Sequence, residues 1–193
     1  MSADSSDAEN QPDLCFAYSR KTWDESVAGN DDMVHIDFKH ALSAIYFDIS
    51  DVLNSISVKK IGFNNVPSAA HCGITGTPGA SAGNPGEPVI SWSGHSTPMD
   101  YRQSYQNSDF DVNKILDFNG SSKVFMMIPH TLDADTEMWA EFEVKGVTVS
   151  RSVRISNASS GNPVVWKPGM KYLYKIMFRG LDDYTFHIDE SGN

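Results

Sequence analysis

Residues 137–155, EMWAEFEVKGVTVSRSVRI, constrain the fold of this chain more than any other stretch. Apolar side chains fall on every second residue: Met138, Ala140, Phe142 and Val144 in one run, then Val147, Val149, Val153 and Ile155 in the next. A period of two sends alternate side chains to opposite faces of an extended chain, so each run makes a half-buried strand and neither makes a helix. Lys145-Gly146 between them reads as the two-residue turn of a hairpin. A sheet with one apolar face needs a second layer to cover it.

The same period recurs along the chain. Tyr172, Tyr174, Ile176 and Phe178 alternate until Gly180 ends the run, and Tyr184, Phe186 and Ile188 mark a last strand. KVFMMIP at 123–129 is apolar enough for a buried strand and is stopped by Pro129. VISW at 89–92 and LCFAYS at 14–19 are short strand-like pieces. Between residues 34 and 50 the alternation changes phase: Val34, Ile36 and Phe38 share one parity, Ile45, Phe47 and Ile49 the other. One extra residue inside KHALS accounts for such a switch, and an extra residue is a β-bulge. His40 lies at the changeover and is expected on a polar edge there. A second slip separates Ile56 and Val58 from Ile61 and Phe63, around Lys59-Lys60. Residues 66–88, rich in Gly, Pro, Ser and Ala, read as one long loop, and 93–110 as a polar stretch with scattered tyrosines. Residues 111–118 read as a brief helix or turn, and NASSGNP at 157–163 as a loop. The sum is about eight short strands and no long helical period. The expected fold is an all-β antiparallel sandwich with long loops.

Charge and length narrow the function. The 193 residues carry a formal charge of -10. Phosphate backbones and anionic membrane surfaces are repelled, so nucleic acid is not an expected partner. No run has the apolar length of a membrane span. Residues 1–13, MSADSSDAENQPD, are polar and acidic, without the basic start and apolar core of an export signal, and are expected to be disordered. With the strand-like piece at 14–19 and a polar linker at 20–33, they form a segment, 1–33, ahead of a β-sandwich domain at 34–193.

Motifs with chemical content lack their contexts. GASAG at 79–83 fits the G-x-S-x-G pattern around Ser81, but that motif needs a strand before the serine and a helix after it. TGTP and NPGEP supply neither. Asp109, Asp111 and Asn113 begin like a calcium loop, yet Lys114 and Gly120 stand where Gly and a bidentate Glu belong. Cys15 and Cys72 form no disulfide framework and no zinc spacing. His71 adjoins Cys72 but, like His35, His40, His95, His130 and His187, lacks a ligand-spaced partner. No catalytic residue, cofactor or metal is therefore expected, and the chain is not read as an enzyme. The alternative is a monomeric surface glycan-binding module, with Trp92, Tyr101 and Tyr105 as an aromatic platform; against it, tryptophans and tyrosines also serve as core.

Several segments together resemble a known family. HIDFKHALSAIYFDI, through Phe38, His40, Ala41, Leu42, Ser43 and Ile45, resembles the signature strand of the fimbrillin-like proteins of Bacteroidales. VFMMIPHTL is similar to a further family segment, with His130 where Gln is usual, and VVWKPGMKYLYKIMF to a pattern carried by Trp166, Gly169, Tyr172, Tyr174 and Ile176. ISVKKIGFNNVPSAAHCG resembles the intervening strand and loop. The resemblance covers about residues 34–180 and rests on the order and spacing of the motifs. It implies transthyretin-like sandwich domains and a cell-surface, outer-membrane fimbrial (pilus) subunit of a lipoprotein family, structural or adhesive. It also implies assembly with other fimbrial subunits by donor-strand exchange, with host or bacterial surface glycans or proteins as further partners. Tyr184, Phe186 and Ile188 are the expected exchange segment, which main-chain hydrogen bonds would hold in a neighbour's sheet. The family's signal peptide, lipobox cysteine and most of its N-terminal domain have no counterpart here. PDLCFAYS is similar to the closing strand of that domain.

Overall fold

The computed structural model describes residues 11–17, 36–51, 56–76, 88–104, 124–155, 163–178 and 184–189. Every regular element among them is a β-strand: β1 (Cys15–Phe16), β2 (Lys39–His40), β3 (Ser43–Asp51), β4 (Ile56–Pro67), β5 (His71–Gly76), β6 (Pro88–Ser93), β7 (Pro98–Ser104), β8 (Phe125–Met127), β9 (His130–Thr131), β10 (Glu137–Val144), β11 (Val147–Arg154), β12 (Val165–Trp166), β13 (Lys171–Phe178) and β14 (Tyr184–Asp189).

Two four-stranded sheets, ordered β11-β10-β4-β7 and β14-β13-β3-β8, form the sandwich. The alternation of β10 appears as strict burial: Met138, Ala140, Phe142 and Val144 point inward and the residues between them do not. Lys145 and Gly146 both have positive φ, 50° and 79°, as the type I′ turn joining β10 to β11 requires. From the opposite sheet come Ile45 and Phe47 of β3, Phe125 and Met127 of β8, and Tyr172, Tyr174 and Ile176 of β13. Aromatic rings bridge the layers. Phe63 of β4 lies 5.6 Å from Phe47, 5.8 Å from Phe125, 5.6 Å from Tyr174 and 5.1 Å from Trp166, mostly edge to face, the geometry that aromatic quadrupoles favour.

The slip around Lys59-Lys60 is a β-bulge: Lys60 pairs with Glu141 but Val58 with Phe142, leaving Lys59 as the extra residue. Val58 and Ile61 both stay buried, and both lysines lie outside, 3.1 Å from Glu143 and 3.6 Å from Glu141. A second irregularity at Asn64-Asn65 has Asn65 at φ 59°, a conformation asparagine tolerates better than most residues.

Three sequence readings need correction. The phase change at 38–45 is a break rather than a bulge: the chain leaves β2 at His40, passes the buried Ala41 and Leu42, and enters a different sheet at Ser43. Ile36 and Phe38, read as one face of an alternating strand, precede β2 and are 52% and 70% exposed, because alternation assigns residues to a face without supplying a layer to cover it; Val34 lies outside the described residues. The stretch read as one loop contains β5, paired with β6, and the polar stretch after Ser93 contains β7, whose Tyr101 and Gln103 are buried. The sandwich is otherwise antiparallel as expected, with one parallel pair: β3 and β13 run side by side from Lys171↔Ala44 to Phe178↔Asp51. Both strands start from one point, where Gly169 N–H donates to Leu42 O (3.0 Å) and Ala44 N–H to Met170 O (3.0 Å). Parallel neighbours are commonly covered on both faces. Accordingly Tyr46 and Leu173, opposite each other and facing away from Phe47 and Tyr174, are buried too.

Candidate functional site

The break at 41–42 organises the region with the most chemical content. Three of the polar backbone groups freed there find partners far along the chain or on another segment. Ala41 N–H donates to Leu14 O (2.7 Å), the Trp92 indole donates to Ala41 O (3.1 Å), and Leu42 O accepts from Gly169. The fully buried Ser43 hydroxyl donates to Lys167 O (2.9 Å). Lys167 to Met170 form a tight turn, closed by Met170 N–H to Lys167 O (3.2 Å), with Gly169 at φ 71°. A Cβ on Gly169 would stand 3.2 Å from His40 O, so glycine serves both the turn and the close approach. Beyond the turn, the Tyr172 hydroxyl donates to Val165 O (2.9 Å) and accepts from Lys167 N–H (2.8 Å), while the Trp166 indole donates to the Tyr174 hydroxyl (2.9 Å). The HALS and W-x-P-G-x-x-Y-x-Y segments are thus one hydrogen-bonded node.

Around this node lies an open groove of about 440 Å³, lined by Phe16, Lys39, His40, Pro88, Ile90, Pro168 and Gly169. Beside it three exposed side chains converge. Asp13 and Cys15 come from the segment carrying β1, and the pairing Cys15↔His40 brings up His40 from β2. His40 Nδ1 is 2.7 Å from Asp13 Oδ2 and 3.6 Å from Cys15 Sγ, and the Cys15 thiol donates to Asp13 Oδ2 at 3.4 Å. Desolvation, with the hydrogen bond and charge of Asp13 adding to it, raises the Cys15 pKa. Both partners address the same ring nitrogen of His40. A nucleophilic relay needs one partner on each nitrogen and a thiol whose pKa is depressed, so the trio is not built as one. Sequence reading missed it because Asp13 and His40 are far apart in the chain, and only the β1/β2 register joins them.

Of the residues proposed as an aromatic platform, Trp92 joins the node and Tyr101 belongs to the core. Trp92 is half-buried and committed to Ala41 O. Tyr101 is 6% exposed and faces the core, its hydroxyl 3.5 Å from Pro67 O. Tyr105, Ser81 and the Asp109–Asp111–Asn113 set lie outside the described residues. Tyr184, Phe186 and Ile188 belong to β14, paired antiparallel with β13 through Phe178↔Tyr184, Ile176↔Phe186 and Tyr174↔Ile188. His130, in the position where the family resemblance has Gln, packs edge-on against Trp166 at 5.2 Å. Its Nδ1–H donates to Ile128 O (2.7 Å), and its Nε2 is buried with no hydrogen-bond partner among the described residues. Burial lowers its pKa. No helix among the described residues is long and apolar enough to cross a membrane.

Comparison with family models matches residues 1–189 to the fimbrillin-like model. The chain belongs to the fimbrillin-like family. Comparison with curated proteins returns no match. Among solved structures, this fimbrillin-like chain is similar to a "putative cell adhesion protein" from Bacteroides uniformis, at 15% identity and a TM-score of 0.43. The match covers 80% of this chain and 52% of the other, so the chain spans about half the length of that protein.

Proposed function

We propose that this fimbrillin-like chain is a cell-surface fimbrial subunit, structural or adhesive, that joins neighbouring subunits by donor-strand exchange. Membership of the family supports the fimbrial part of the reading. The exchange part rests on one observation. Among the described strands, β14 is the last and forms an edge of its sheet, with β13 as its neighbour. An edge strand held by one ladder can be replaced, pair for pair, by an equivalent strand from another subunit, because main-chain hydrogen bonds are the same whichever chain supplies them. The partners are then other fimbrial subunits, and an adhesive role adds host or bacterial surface glycans or proteins.

The test incubates the purified chain with a second fimbrial subunit and follows SDS-resistant oligomers on gels. The expected result is a ladder that a peptide of residues 184–189 suppresses. A ladder indifferent to that peptide, or none under any condition, refutes strand exchange through β14. Antibody labelling of intact cells tests surface exposure independently.

A further inference from the structure

We propose that Asp13, Cys15 and His40 form a binding site for a zinc-class divalent cation, with three protein ligands and a fourth position open to solvent or to a group from another molecule. The inference does not depend on the fimbrial reading. One ligand atom from each residue lies within 4.8 Å of the others. A tetrahedral zinc ion with bonds of about 2.3 Å to sulfur and about 2.0–2.1 Å to nitrogen or oxygen has S···N and S···O edges of about 3.5 Å and an N···O edge of about 3.3 Å. The structure has Cys15 Sγ 3.6 Å from His40 Nδ1 and 3.4 Å from Asp13 Oδ2. Two of the three edges are therefore already at coordination length. The third, the 2.7 Å His40–Asp13 contact, is a hydrogen bond that opens by about 0.6 Å as the ion takes the place of its proton. Binding exchanges the Cys15 thiol proton for the metal and leaves the imidazole neutral.

The donor set selects the class of ion. One thiolate, one imidazole and one carboxylate suit zinc, whereas calcium and magnesium need oxygen-rich shells that these residues do not provide. A cation also removes the conflict of an anionic sulfur beside a carboxylate. The site has a structural consequence: β1 and β2 share two residue pairs, Cys15↔His40 and Phe16↔Lys39, and an ion held from both strands would clamp them together.

Cobalt(II) reports directly on this chemistry, because a thiolate ligand gives a ligand-to-metal charge-transfer band and tetrahedral geometry gives intense d–d bands. The full-length, reduced protein titrated with Co²⁺ is expected to bind one ion per chain with both signatures, and Zn²⁺ is expected to erase them. Cys15→Ser should abolish the charge-transfer band, and His40→Ala and Asp13→Ala should each weaken affinity by about tenfold or more. Cys72→Ser should leave all of it unchanged. All three ligands are exposed, so these variants are expected to fold, which far-UV circular dichroism verifies. No uptake at stoichiometric metal, a band that follows Cys72 instead of Cys15, or unchanged affinity in any of the three ligand variants overturns the site.

Discussion

At the residue scale, Gly62 has the tightest surroundings of the described glycines. It sits in register with Trp139 on one side and Arg102 on the other, and a Cβ there would collide with the Tyr101 carbonyl. Without a side chain at that position, the Arg102 guanidinium reaches across β4 to lie 4.3 Å from the Trp139 ring centroid. It also donates to Phe63 O and Tyr101 O, each at 2.9 Å, and to the Asn64 side chain. The Gly62→Ala change forces backbone movement as well as displacing this arginine, so it is expected to cost about 3 kcal/mol, the upper end for overpacking. Urea midpoints measure it, and a loss below about 0.5 kcal/mol, the range of neutral surface changes, would contradict the packing account. His130 carries a second residue-scale prediction. Burial lowers its pKa in the folded chain, so when the pH falls through about 6.5 the unfolded chain takes up a proton that the folded chain resists. Stability tied to this group is complete above the unfolded pKa and declines as the pH falls towards the folded one. Between about pH 7.5 and about pH 5.5 the unfolding midpoint should fall more for the native chain than for His130→Gln. Equal falls would remove His130 as the cause.

At the element scale, the bulge in β4 makes a prediction about deletions. Lys59 is the unpaired extra residue between Val58 and Lys60, so deleting it lets Val58 stay opposite Phe142 with its side chain inward. What is lost is a half-exposed ion pair to Glu143, worth less than about 1 kcal/mol. Deleting Glu141 is different. It lies in β10 between two partner strands and has no bulge of its own to absorb the change, so one half of the strand turns its apolar residues outward. The Lys59 deletion should fold with a melting temperature near that of the native chain, and the Glu141 deletion should not fold. Equal tolerance of the two in thermal melts would sink the bulge assignment. The same strands illustrate what was legible in the sequence. β4, β10, β11 and β13 declared themselves because one face is apolar and the phase can be counted. β7 did not, because a buried Gln103 interrupts the apolar count, and β5 did not, because glycines and small residues mask a short hairpin strand. The break at Ala41-Leu42 and a bulge leave the same mark on parity. Only the partners of Ala41, Leu42 and Ser43, far along the chain, distinguish the two. The Asp13–Cys15–His40 trio depends on a two-residue pairing that no periodicity signals.

At the scale of the whole molecule, the order of the sheet β14-β13-β3-β8 sets which parts of the chain are dispensable. β13 lies between β14 and β3, and it supplies Tyr172, Tyr174 and Ile176 to the shared core. Its parallel ladder with β3 joins segments from opposite ends of the described chain, so the sandwich cannot close until β13 is present. A chain ending at Arg154 loses β12, β13 and β14 together, and with them the whole Trp166–Tyr172–Tyr174 network. It should be unfolded, with no cooperative transition in urea. Of the described strands, a chain ending at Phe178 loses only β14, which lies at the edge of their sheet. It keeps the two-layer core and should unfold cooperatively at a lower urea midpoint. Its newly exposed β13 edge is a template for any strand of the right register, so the peptide of residues 184–189 should raise that midpoint, whereas a scrambled peptide should not. If the chain ending at Phe178 is as unfolded as the one ending at Arg154, β14 is an integral part of the core and cannot be the strand that subunits trade. If it folds and the peptide does nothing, the edge is not a recognition surface.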